Sequence, residues 1–104
     1  MFGSKGCQFI QVYAMRNLTL LNISSNDIGD EGVKHLAEAP YLRNLEILYI
    51  DDNNLTESAG NHLANSSYLN HLKHLSIAYN TLGTAGTTAI ANSENFSKVT
   101  HLWL

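Results

Sequence analysis

The chain is expected to fold as an α/β solenoid, a short curved stack with a parallel β-sheet on its concave face and helices on its convex face. The segments LTLLNISSN from Leu18, LEILYIDDN from Leu45 and LKHLSIAYN from Leu72 share the pattern LxxLxLxxN at a spacing of 27 residues. A fragment of a fourth copy, VTHLWL, begins at Val99. A helix-like stretch follows each of the three full copies. A period in this range means stacked units, none of which can bury its apolar face alone.

Taken in chain order, residues 1–17 come first. Stepping back one period places Phe9, Ile10 and Met15 where Leu36, Ala37 and Leu42 stand. This segment is therefore expected to be the helical half of an incomplete repeat, capping the open end of one domain spanning 1–104. Repeats then start at 18, 45 and 72, with a partial repeat at 99–104.

Within the second repeat, Leu45, Leu48 and Ile50 are the recurring apolar positions, directed into the core. Asn53 closes the strand, and with Asn26 and Asn80 it is expected to form a ladder satisfying loop backbone that would otherwise be buried unpaired. Ile28, Leu55 and Leu82 come next. Each helix is then expected to begin near Asp30, Glu57 or Thr84, whose acidic or hydroxyl side chains suit N-terminal capping. The buried helix positions recur as Leu36, Leu63 and Ile90, and as Ala37, Ala64 and Ala91. Gly32, Ala59 and Gly86 are small, consistent with close helix packing. Tyr41–Leu42, Tyr68–Leu69 and Asn95–Phe96 end the helical halves, and Pro40 helps stop the first helix. A helix is wider than the ~4.8 Å spacing of strands, so the stack must curve with its strands inside.

Composition narrows the function. A net charge of −3 argues against an electrostatic grip on nucleic acid or anionic lipid. No apolar run approaches the roughly 20 residues that span a bilayer, so membrane insertion is not expected. The single cysteine, Cys7, and the absence of a signal-peptide pattern point to a reducing cytoplasm. Five N-x-S/T sequons, at Asn17, Asn22, Asn54, Asn65 and Asn95, are read as chance in an Asn- and Ser-rich chain.

The motif LxxLxLxxN, followed by an apolar residue, a small residue, a helix and Leu-Ala, resembles the leucine-rich repeat proteins of the ribonuclease-inhibitor-like class from about Leu18 to Leu104. NDIGDEGVKHLAEAP and NTLGTAGTTAIANS also resemble repeats common in bacterial proteins, some of which pathogens deliver into the host-cell cytosol. The resemblance implies a non-catalytic module that binds a protein partner through its concave sheet. In the best-known relatives that partner is an enzyme whose active site becomes covered. The family has more repeats as a rule, so only a short arc is expected here. The alternative is a structural solenoid fragment that self-associates through the open edge at His101–Leu104.

Side chains between the core leucines face the other side of the sheet. They form four columns: Leu20, Ile47, His74, His101; Asn22, Tyr49, Ser76, Trp103; Ser24, Asp51, Ala78; and Ser25, Asp52, Tyr79. Tyr49, Tyr79 and Trp103 are residue types that dominate binding hot spots, with Ile47 as an apolar neighbour. Asp51 and Asp52 add negative charge able to orient a basic loop of a partner. The partner-binding set expected from the sequence is Ile47, Tyr49, Asp51, Asp52, His74, Tyr79, His101 and Trp103. His74 and His101 stand on adjacent strands ~4.8 Å apart. A metal site needs three or four ligands, so they are read as surface histidines. No nucleophile elbow, phosphate loop, paired-carboxylate site or zinc-ligand spacing occurs, and neither catalysis nor a cofactor is expected.

Overall fold

The computed structural model describes residues 17–104. The Cys7 position and the expected capping helix with Phe9, Ile10 and Met15 lie outside these residues. From Asn17 onward the chain alternates strand and helix. The strands are β1 (Leu20–Asn22), β2 (Ile47–Tyr49), β3 (His74–Ser76) and β4 (His101–Trp103). The helices are α1 (Gly29–Ala37), α2 (Glu57–Ala64) and α3 (Gly83–Asn92), with 3-10 turns at Pro40–Leu42 and Glu94–Phe96.

The sheet is parallel in the order β1-β2-β3-β4, and its register equals the sequence period: Leu21 pairs Leu48, Leu48 pairs Leu75, and Leu75 pairs Leu102. Pairing runs beyond the short strands, with the amide of Ile23 donating to Tyr49 O at 3.0 Å and that of Ser25 to Asp51 O at 2.9 Å. Leu45, Leu48, Ile50, Leu72, Leu75 and Ile77 are buried beneath the sheet with the helix residues Val33, Leu36, Leu63 and Ile90. Each such side chain contributes roughly 1.5–3 kcal/mol by leaving water. Helices α1, α2 and α3 line the other side, and their ~8–10 Å packing distance against ~4.8 Å between strands bends the stack toward the sheet.

The asparagine ladder forms. Asn53 is fully buried. Its Oδ1 accepts the Asn26 amide at 2.9 Å and the Ile28 amide at 3.3 Å, while its Nδ2 donates to Ile23 O and Asp51 O, both at 3.1 Å. One period on, Asn80 Oδ1 accepts the amides of Asn53 at 2.9 Å and Leu55 at 3.1 Å. Asn80 Nδ2 reaches Ile50 O at 3.2 Å and Ile77 O at 2.9 Å.

Three expectations require correction. The helix starts fall within a residue of Asp30, Glu57 and Thr84, yet no side chain caps them: Ile28, Thr56 and Leu82 occupy the N-cap positions without a side-chain bond. Asp30 reaches across to the next repeat instead, accepting the Thr56 amide at 2.8 Å and the Thr56 hydroxyl. This holds the loop where Thr56, at φ −122, stands in place of left-handed Gly29 (φ 67) and Gly83 (φ 69). Second, the alanine column is not uniformly buried: Ala37 is buried, Ala64 half-buried and Ala91 exposed. Third, Pro40 opens the 3-10 turn after α1 has already ended at Ala37. Its fixed φ suits the first position of a helical turn.

A close helix contact also falls between positions the repeat does not align. A Cβ built on Gly60 would stand 2.7 Å from Gly86 O and 2.9 Å from Gly86 Cα. Gly60→Ala in α2 is therefore expected to destabilise the fold by about 1–3 kcal/mol through overpacking. An exposed helical glycine would gain roughly 0.5–1 kcal/mol from the same change. Denaturant unfolding reads the sign; a gain would mean that the helices can separate freely. In the same assay Asn53→Ala is expected to lose about 3 kcal/mol, because it strands buried amides and carbonyls.

Candidate protein-binding face

Strand alternation delivers the four columns to one face. Leu20, Ile47, His74 and His101 are in register, as are Asn22, Tyr49, Ser76 and Trp103. Along this face Tyr49, Asp51, Ser76, Ala78, Tyr79 and Trp103 line a shallow, open cleft of about 370 Å³. Four of the eight residues expected to bind a partner thus meet in one place. His101 extends the surface: its ring lies 4.3 Å from that of His74, tilted by 30°, and stacks at 5.7 Å on Trp103. Ile47 is the neighbour of His74 across the β2–β3 pair and is half-buried. Asp52 is exposed at the rim, where Ser25 Oγ donates to its Oδ2 at 3.0 Å.

Asp51 has an internal duty that its sequence position did not reveal. Its Oδ1 accepts Ser76 Oγ at 2.6 Å and the Ala78 amide at 2.7 Å, while its own amide donates to Ser24 Oγ at 3.1 Å. The carboxylate therefore ties β2 to β3 and forms part of the cleft wall at once. Ser76 is nearly closed to solvent and keeps its hydroxyl on this carboxylate. Ser76 and Ala78 were not singled out from the sequence. The signal was present in the column order: a small residue between two large aromatics leaves a gap.

Tyr79 is the outlier of the face. The position before each ladder asparagine is left-handed, with φ 60 at Ser25, 54 at Asp52 and 57 at Tyr79. Serine and aspartate are short, and Ser25 and Asp52 bond to each other across this column. A tyrosine there is sterically disfavoured. The residue is 86 % exposed, so buried packing does not offset the strain. Strain held without a packing reward points toward a role outside the fold.

Among the described residues no three His, Cys, Asp or Glu side chains are grouped to hold a metal ion, and no helix is long and apolar enough to cross a membrane. Two Leucine Rich repeat models match the chain, one over residues 14–37 and 68–91 and the other over residues 44–66. The chain belongs to the leucine-rich repeat proteins, a family of generally non-catalytic protein-binding repeats. It is a protein-interaction module. Comparison with curated proteins gives no match.

The strain at Tyr79 is testable in the free protein. Tyr79→Asn is expected to raise stability by roughly 0.5–1 kcal/mol, since asparagine tolerates the left-handed region. A thermal or denaturant melt measures it; a loss of stability would show that the exposed ring supports the fold after all.

Proposed function

We propose that this protein engages a partner protein through its concave sheet face, with Tyr49, Tyr79 and Trp103 as anchors and no catalytic step of its own. The observation that carries this reading is the convergence of those three aromatic residues on one cleft, on the face of the sheet that the core does not use. Aromatic side chains supply large contact area with few rotatable bonds, which is why they concentrate in binding hot spots. Ile47, His74 and His101 extend the contact along the sheet, and Asp51 and Asp52 set its charge.

Within this reading the partner is an enzyme whose active site the concave face covers. One strand and one full α-helix in each of three repeats supports the ribonuclease-inhibitor-like class. A cytosolic setting accompanies it, extending to a host-cell cytosol if the likeness of the helix phrases to delivered bacterial proteins reflects origin. Self-association draws only on the outer edge of β4, where Leu102 and Leu104 are 40 % and 52 % exposed. A further repeat would cover that edge equally well, so docking of a different protein is the stronger reading.

Affinity capture with the wild-type chain, set beside the Tyr49→Ala/Trp103→Ala double variant, tests the proposal. Both substituted residues have solvent access, so the variant is expected to melt within a few degrees of wild type while capture falls by at least 100-fold. A folded double variant that captures the same protein undiminished would sink the reading.

A further inference from the structure

The gap between Tyr49 and Trp103 has a shape and a charge that select a particular kind of side chain. The two residues occupy one column on β2 and β4, with Ser76 between them. Their backbones are separated by two strand spacings, roughly 9.6 Å. The small Ser76 leaves the middle of the column low, so a group lying over it has an aromatic residue of the same column on either side. Tyr79 stands at the mouth, 86 % exposed.

The wall of this slot carries a carboxylate. Both hydrogen bonds to the Asp51 side chain fall on Oδ1, at 2.6 and 2.7 Å, so the carboxylate keeps acceptor capacity on Oδ2. Charge is also distributed unevenly over the molecule. Asp27, Asp51, Asp52 and Glu57 stand at the C-terminal ends of the strands or the start of α2, where no described lysine or arginine lies. Lys34, Arg43, Lys73 and Lys98 belong to the opposite end, in the last turn of α1 or just before a strand, where Glu38, Glu46 and Glu94 balance part of their charge.

We infer that the cleft receives an arginine side chain of the partner protein. The inference rests on the proposed docking face and specifies the chemistry of its centre. A guanidinium is planar, weakly hydrated and stacks on aromatic faces, while its N–H groups reach a carboxylate in a fixed fork. A lysine ammonium matches the charge but not the slot. An uncharged flat group matches the slot but leaves the carboxylate without a counter-charge.

The test is an NMR titration of the isotope-labelled chain with Nα-acetylated, C-amidated Gly-Arg-Gly, set against the same tripeptide carrying citrulline, a neutral isostere, or lysine. The arginine peptide is expected to shift the Trp103 indole N–H and the amides of Asp51, Ala78 and Tyr79 saturably. The citrulline and lysine peptides should bind at least tenfold more weakly. Asp51→Asn keeps an acceptor for Ser76 and Ala78, and should bring arginine binding to within about threefold of citrulline while the melt stays near wild type. If Asp51→Asn unfolds, Trp103→Leu serves as the second variant, read at the amides of Asp51, Ala78 and Tyr79, and should bring arginine binding to within about threefold of lysine; an undiminished preference for arginine over lysine overturns the inference.

Equal binding of arginine and citrulline overturns the inference, as do shifts confined to Asp27 and Glu57 or no shift at the cleft. Each of these results leaves the docking face standing if the Tyr49/Trp103 double variant still loses its captured partner. Arginine selectivity with undiminished capture by that variant would instead overturn the docking face and keep the cation site.

Discussion

The turn from strand to helix in this stack depends on a carboxamide supplied by the neighbouring repeat. Loop backbone there is covered by the next repeat and cannot rely on water, so its polar groups need protein partners. Asn53 provides them for the preceding loop through an oxygen that accepts two amides and a nitrogen that donates to Ile23 O. Aspartate would lack the donor, and glutamine would carry the amide one carbon too far. The first two loops are completed by the repeat that follows, so stability accumulates as contacts between adjacent units.

A second line of such bonds runs along the far end of the helices. Ser66 Oγ donates to Ala37 O at 2.6 Å and accepts the amides of Tyr68 and Leu69. Ser93 Oγ repeats the bond to Ala64 O at 2.7 Å. Asn95 adds three bonds from its Nδ2 to Leu63 O, Ala64 O and Ser66 O. These satisfy carbonyls that α2 leaves open at its C-terminus. The first two strand–helix units are thus fastened to the unit that follows at both ends, and the concave face lies between the fastenings.

How much of this the sequence disclosed follows from which contacts obey the period. Strand pairing does, since parallel neighbours align like with like; the columns, the core leucines and the asparagine ladder were all legible from a 27-residue spacing. Helix packing does not, because side chains on one helix fit between those of the next instead of facing their own equivalents. Hence Gly60 meets Gly86, and Asp30 meets Thr56, each pair 26 residues apart and invisible to an in-register comparison. The serine line was hidden for a different reason. Ala39 occupies its place in the first repeat, so only two copies carry the hydroxyl. In the candidate site the aromatic residues stood out, while Ser76 and Ala78 did not, because a gap belongs to a column and not to any one residue.

The same fastening bears on how the cleft can bind. Its wall is held by Asp51, which links β2 to Ser76 and Ala78 beside β3, and its far side by Trp103, whose ring is stacked on His101. Tyr79 hangs from a backbone conformation that Ser25 and Asp52 share, so the loop dictates its direction whatever residue stands there. Asp51 and Trp103 have thereby lost much of their freedom before any partner arrives, while the exposed Tyr79 ring keeps its rotation. Ordering a mobile side chain on binding costs about 0.5–1.5 kcal/mol, and a preformed cleft avoids part of that. The left-handed strain at Tyr79 is then sustained by the fold itself, through the ladder that forces the turn. A repeat that contributes nothing to recognition through its leucines and asparagines still sets the geometry in which three irregular aromatic residues meet.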